Sequence, residues 1–236
     1  EAALVGVELL SLIDERDRPA LERQIREVRA AVSGSLHCEL RCRHAQGHEV
    51  WASMHGSHFA GDTMTGEHLI IQAFDVTARR LAEDRLQHLA YHDSLTNLAN
   101  RSRLSDRLAQ AIDAFRLNPA DQFSLLHLRF ERFQQLSDSL GRGAGDRFLI
   151  AIAQRIQAQM RPSDLLSRLE GDDFAILALH RGGGVQHARA MAERLQQAFT
   201  TPVLINDTEV QTGASIGITC SDVGYALADD VLRDAQ

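Results

Sequence analysis

Two apolar runs, 165–169 and 173–179, meet at Glu170-Gly171-Asp172, and this junction leaves the chain few choices of fold. Glycine lets the backbone reverse tightly, so the runs predict two short strands joined by a turn. The surrounding periodicity predicts a helix over 100–116, a strand over 123–129, a short helix, a longer helix from Gly145 to Met160 and a helix over 184–199. A final hairpin is expected to include Val210 to Thr219. Helices alternating with mainly antiparallel strands imply an α/β (α+β) sandwich around a central sheet.

The first third follows a different pattern. Leu21, Ile25 and Val28 stand at helical spacing within 16–32, and strand-like runs follow near 36–44, 48–58 and 67–75. Gln46-Gly47 and the stretch Gly61-Asp62 to Gly66 supply the turns, giving an antiparallel sheet preceded by a helix. Thr77 reads as the N-cap of a helix running to about Tyr91, with Ala78, Ala82, Leu86 and Leu89 as its apolar stripe. Two readings of that stripe stand side by side: a helix packed on a neighbouring domain, or a parallel dimeric signalling helix.

The 236 residues allow one large domain or two small ones. A formal net charge of -7 argues against broad binding to nucleic acid or anionic membranes, although a local arginine site for phosphates is compatible with it. All 25 basic residues are arginine, which excludes a Schiff-base lysine, a lysine general base and a P-loop lysine. Three cysteines, Cys38, Cys42 and Cys220, form no closed disulfide framework and suit reduced thiols in a cytosol. No apolar run approaches the ~20 residues of a membrane span, and no signal peptide is visible. The chain opens at Glu1 without Met and stops in what reads as the opening turns of a helix near 229–234, so a fragment of a longer protein is expected.

Adjacent carboxylates Asp172 and Asp173 at a hairpin tip can ligate Mg²⁺ beside triphosphate oxygens, although taken alone they read as an ordinary acidic turn. The surroundings favour the first reading. Asp93-Ser-Leu-Thr-Asn-Leu-Ala-Asn-Arg101, Gly141-Arg-Gly-Ala-Gly-Asp146, the hairpin Arg168-Leu-Glu-Gly-Asp-Asp-Phe174 and Ala214-Ser-Ile-Gly-Ile218 occur in order. From about Tyr91 to its end the chain resembles the GGDEF family, whose active members are diguanylate cyclases that join two GTP molecules into cyclic di-GMP across a dimer. The resemblance implies a cyclase-like fold.

The departures from that family bear on activity. Where active members carry a metal-binding aspartate at the end of the first strand, this chain has Arg129, a permanent cation with no lone pair for Mg²⁺. Asp173 is then the surviving metal-ligand position, and Glu131 is the nearest candidate replacement. Gln134 matches the family's phosphate-side lysine and Ser137 its guanine-reading asparagine, whereas the guanine partner persists as Asp146. Glu170 stands at the first signature glycine, and Asp173 replaces a glutamate. Such losses predict impaired catalysis, because metal and positioning carry most phosphoryl-type chemistry. Contact between Arg129 and a nucleotide phosphate leaves GTP binding open.

Arg161-Pro-Ser-Asp164 precedes Glu170 at the spacing of the family's R-x-x-D inhibitory site for cyclic di-GMP, and Arg194 matches the arginine that completes it. Arginine donates bidentately to phosphate or a guanine edge, and aspartate accepts from guanine N–H groups. The plain alternative is a surface Arg–Asp pair.

Residues 1–76 resemble the C-terminal part of a PAS domain, through Glu8-Leu-Leu-Ser-Leu-Ile-Asp14, Glu39-Leu-Arg-Cys-Arg-His44 and the exit Asp75-Val-Thr77. The ligand of such a domain is not legible. Cys38, Cys42 and His44 share strand parity but spread over ~20 Å, too far for one tetrahedral ion, while His44 and His48 can approach across the turn. The expectation is a bacterial cytoplasmic signalling chain: partial PAS over 1–76, linker helix 77–92 and degenerate GGDEF over 93–236. It would bind cyclic di-GMP or GTP, pair as a homodimer through the PAS and linker helix, and precede an EAL phosphodiesterase domain. Alternatives are an active or weak cyclase and a nucleotide-free relay module.

Overall fold

The computed structural model describes residues 6–30, 35–60, 67–131 and 133–236. Contacts divide the chain into two compact units, Glu1–Leu86 and Gln87–Gln236. The predicted turn at Gly61-Asp62 to Gly66 and the end of the predicted 16–32 helix lie outside the described residues.

The first unit contains helices α1 (Leu9–Leu12) and α2 (Arg18–Ala30) and strands β1 (Ser35–Arg43), β2 (Glu49–Ala60) and β3 (Glu67–Asp75). The strands form an antiparallel sheet in the order β1-β2-β3. Leu21 and Val28 of α2 bury against Leu36, Leu40, Ala52 and Met54. Asp17 ties α2 to β1 through a bidentate pair with Arg41 at 2.8 and 2.7 Å. Cys38 and Cys42 pack against this core, and burial pushes both thiols above their usual range. His44 and His48 do stack across the turn, with ring centroids 4.3 Å apart.

Helix α3 (Thr77–Tyr91) begins as expected, but Thr77 is not its cap. Asp75 Oδ1 accepts from Thr77 N at 2.8 Å, and the Thr77 hydroxyl accepts instead from Trp51 N at 2.8 Å. The carboxylate two residues earlier serves the helix end, which frees the threonine to tie the helix to β2. Leu81, Leu86 and Leu89 of α3 are exposed.

The second unit adds α4 (Arg101–Leu117), β4 (Asp121–Phe130), α5 (Phe133–Leu140), α6 (Arg142–Gln157), β5 (Leu165–Glu170), β6 (Asp173–Arg181), α7 (Gly184–Phe199), β7 (Val203–Ile205), β8 (Thr208–Val210), β9 (Ala214–Cys220) and α8 (Ala228–Ala235). Its main sheet runs β5-β6-β4-β9 with every neighbouring pair antiparallel. The sheet is covered on both faces. Leu126, Leu128, Phe174 and Ile176 meet Phe148 and Ile152 of α6 and Leu195 of α7, while Phe123, Leu125, Ala175 and Leu177 meet Leu104 and Leu108 of α4 and Val231 of α8. This is the α/β sandwich that the alternation predicts.

Two further expectations are corrected. Helix α6 starts at Arg142 rather than Gly145, because Gly141 at φ +85° sets the break and its carbonyl accepts from Ala144 N at 3.0 Å. Val210 and Thr219 do not share a hairpin. Val210 pairs with Val203, and β9 pairs with the distant β4. Asn206 and Asp207, at φ 48° and 62°, form the two-residue turn that closes the β7–β8 hairpin.

Candidate functional site

The β5–β6 hairpin is shaped by its sequence. Gly171 sits at φ +54°, a region that side-chain-bearing residues avoid, which fixes glycine at the turn. Asp173 opens β6 and lies opposite Arg129 of β4 in register. The two side chains therefore meet: Arg129 Nε and Nη2 donate to Asp173 Oδ1 and Oδ2 at 2.8 and 3.0 Å. Asp173 holds Arg129 above the ordinary arginine range. Phe174 next door is fully buried and packs edge-on against Phe130 at 5.8 Å, so it anchors the core.

This arrangement does not fit a magnesium ion on Asp173. Both carboxylate oxygens are engaged by a guanidinium, which would itself repel the cation. Among the described residues no three of His, Cys, Asp and Glu gather into a metal-ligand set. Glu131 lies past the end of β4, and its carboxylate packs over Gly213. Asp172 and Glu170 occupy the turn and its approach.

Behind the tip, His127 is 3% exposed, and its Nε2 lies 3.8 Å from Asp173 Oδ1. Burial holds this imidazole below its usual range. Arg168 of β5 clamps the hairpin from inside. Its Nε and Nη2 donate to Gly171 O at 3.0 and 2.8 Å, and Nη1 donates to both oxygens of Asp93 at 3.0 and 3.1 Å. Asp93 also accepts from Thr96 N and Oγ1 at 2.8 and 2.6 Å. Burial raises the Asp93 carboxyl, but the Thr96 and Arg168 hydrogen bonds outweigh it and hold the group below its usual range. The opening Asp93–Arg101 motif is thus a joint: Asn100 caps α4 by accepting from Arg103 N at 3.1 Å and donates to Ala90 O at 2.9 Å. Sequence reasoning missed His127, Arg168 and the role of Asp93. A basic residue inside the apolar run Leu-Leu-Ser-Arg-Leu was the available signal.

Ser137 and Asp146 are half-buried on the packed helices α5 and α6. A Cβ at Gly145 would come within 3.1 Å of Ser137 Oγ, so this glycine lets the two helices close beside Ser137. Gln134 is turned along its own helix and donates to Asp138 Oδ1 at 3.1 Å.

Arg161, Asp164 and Arg194 gather at another corner. Asp164 Oδ2 accepts from the backbone N of Arg161 at 2.9 Å, so its carboxylate shapes the turn and makes no ion pair with the Arg161 guanidinium. Arg194 reaches from α7 to Gln159 O at 3.3 Å, two residues before Arg161. The simple surface pair is therefore not what forms.

A covered antiparallel sheet with an acidic hairpin at its edge and an arginine–aspartate turn before it is a cyclase-like α/β fold. The family described as "Diguanylate cyclase, GGDEF domain" matches residues 90–236, and the chain belongs to it. Its second unit is a GGDEF domain of the cyclic di-GMP signalling type, homologous to diguanylate cyclases. The diguanylate cyclase TpbB of Pseudomonas aeruginosa is 39% identical over 151 residues, covering 61% of this chain and 34% of the relative. The probable diguanylate cyclase DgcE of Escherichia coli is 33% identical over 199 residues, covering 84% of this chain and 18% of the relative. The chain thus spans about a third or less of the length of these relatives. The solved GGDEF domain of the Pseudomonas protein superimposes with a TM-score of 0.58 at 34% identity, covering 61% of this chain and 84% of that one. A sensory box/GGDEF family protein from Caulobacter crescentus gives 0.58 at 29% identity, covering 62% and 93%. No helix among the described residues is long and apolar enough to cross a membrane.

Proposed function

We propose that the second unit is a regulatory module that binds cyclic di-GMP at Arg161, Asp164 and Arg194 and has lost cyclase turnover. The observation that carries this reading is the in-register pair of Arg129 and Asp173, which joins both oxygens of the surviving metal-ligand position to a cation. The Arg161 guanidinium, with no hydrogen bond or ion pair among the described residues, supports the binding half. Loss of the amide at Ser137 and of the cation at Gln134 weakens GTP recognition further, while Asp146 preserves one guanine acceptor.

The proposal extends to the rest of the chain. A helix followed by a three-stranded antiparallel sheet and the Asp75-Val-Thr77 exit supports a partial PAS domain of unassigned ligand over 1–76 and a linker helix over 77–92. The exposed Leu81, Leu86 and Leu89 support homodimer pairing along that helix. A following EAL domain and a bacterial cytoplasmic setting belong to the same reading.

Identity of 39% to a diguanylate cyclase favours one competing function, a weak cyclase. Incubation of purified protein with GTP and Mg²⁺ separates the two: no cyclic di-GMP is expected, and steady production abolished by Asp173→Ala overturns the regulatory reading. Calorimetry with cyclic di-GMP tests the site itself. Arg161→Ala is expected to lose about tenfold or more in affinity, on the scale of a charge-assisted contact, and unchanged binding refutes the assignment.

A further inference from the structure

A groove of about 540 Å³ runs beside Arg161, lined also by Asp164, by Arg103 of α4 and by His92 and Asn97 of the turn that follows α3. Its charge is unbalanced. The guanidinium groups of Arg103 and Arg161 have no hydrogen bond or ion pair among the described residues, and Asp164 is turned back onto a backbone N–H. Two unpaired arginines in one groove stand out in a chain of net charge -7. Met160 and Leu166 add apolar surface to the same groove, suited to a flat base.

The turn supplies directional chemistry. His92 Nδ1 lies 3.2 Å from Asn97 O, and a carbonyl only accepts, so Nδ1 donates and Nε2 is the ring nitrogen left for another contact. His88 stacks on His92 with centroids 4.3 Å apart and donates through Nε2 to Asn97 Oδ1 at 2.7 Å. Asn97 itself is held at φ 58°. The last turn of α3 is thereby built into one wall of the groove.

We infer that Arg103 is a further phosphate-contacting residue of the Arg161–Asp164 site, and that the guanine dinucleotide bound there lies against the His92–Asn97 turn. The inference rests on the regulatory reading above and adds a residue outside the R-x-x-D motif. A ligand spanning both arginines replaces two solvated cations by charge-assisted hydrogen bonds and orders the junction between α3 and α4.

Calorimetry with cyclic di-GMP on the whole chain and on Arg161→Ala, Arg103→Ala and Arg103→Gln tests it, with hydrogen exchange at the His92 and Asn97 amides as a second readout. Arg103 is exposed on its helix, and matched melting temperatures establish that the variants fold. The expected result is about tenfold weaker binding for either Arg103 variant, together with slower exchange at both amides when the parent is saturated. Parent-like affinity of both Arg103 variants alongside weak binding by Arg161→Ala overturns this inference and leaves the regulatory reading standing. Absence of any binding by the parent overturns both.

Discussion

Replacing Arg168 with methionine removes four hydrogen bonds at once, two to Gly171 O and two to Asp93, while keeping most of the side chain's volume. The Arg168 and Asp93 side chains are 13% and 21% exposed, so water replaces the lost partner poorly. An exposed pair contributes ~0–1 kcal/mol, and breaking a fully buried one costs ~3–5 kcal/mol. Asp93 keeps two bonds from Thr96, which places the expected loss at about 2–3 kcal/mol. For a unit of this size that lowers the melting temperature by about 5–10 °C. Urea denaturation of the parent, Arg168→Met, Asp93→Asn and the double variant measures the coupling, expected at about 1–2 kcal/mol. Additivity within about 0.3 kcal/mol would refute the clamp. The pH dependence gives a second check. A carboxyl held below its ordinary 3.8 stabilises the fold above that pH and loses the contribution as pH falls through its folded value. The difference between parent and Arg168→Met therefore narrows as the solution is acidified below 3.8.

A Cβ on Gly217 would overlap the carbonyl oxygen of Ala235, so Gly217→Ala should displace α8 and cost at least about 2 kcal/mol in urea denaturation; a parent-like midpoint contradicts this close approach. Burial, with His187 beside it, holds His180 below 6.5, so the neutral ring stabilises the fold above that pH and the contribution fades as pH falls below it. Melting curves from pH 8 to 5 should therefore fall less steeply for His180→Gln than for the parent, and parallel curves would remove His180 from the acid response.

Local chemistry was legible without a structure. The Asp121–Phe130 and Asp173–Arg181 strands announce themselves by short, mainly apolar runs, α2 by Leu21, Ile25 and Val28, and the hairpin by Gly171, because strand pleat, helix pitch and backbone sterics act over neighbouring residues. The resemblance to GGDEF domains located Arg129 and Asp173 as positions, without showing that they touch. That contact follows from antiparallel register between strands 44 residues apart. Still longer separations in sequence hide the pairing of β9 with β4, where a local hairpin was expected, and the bond from Arg168 to Asp93, 75 residues away. Thr77 was misassigned because both it and Asp75 are good caps by type, and only the nearby Trp51 amide decides between them. Side-chain chemistry is thus written residue by residue, whereas the joining of two arginines, an aspartate and a histidine around one groove depends on which distant segments the packed sheet and helices bring side by side.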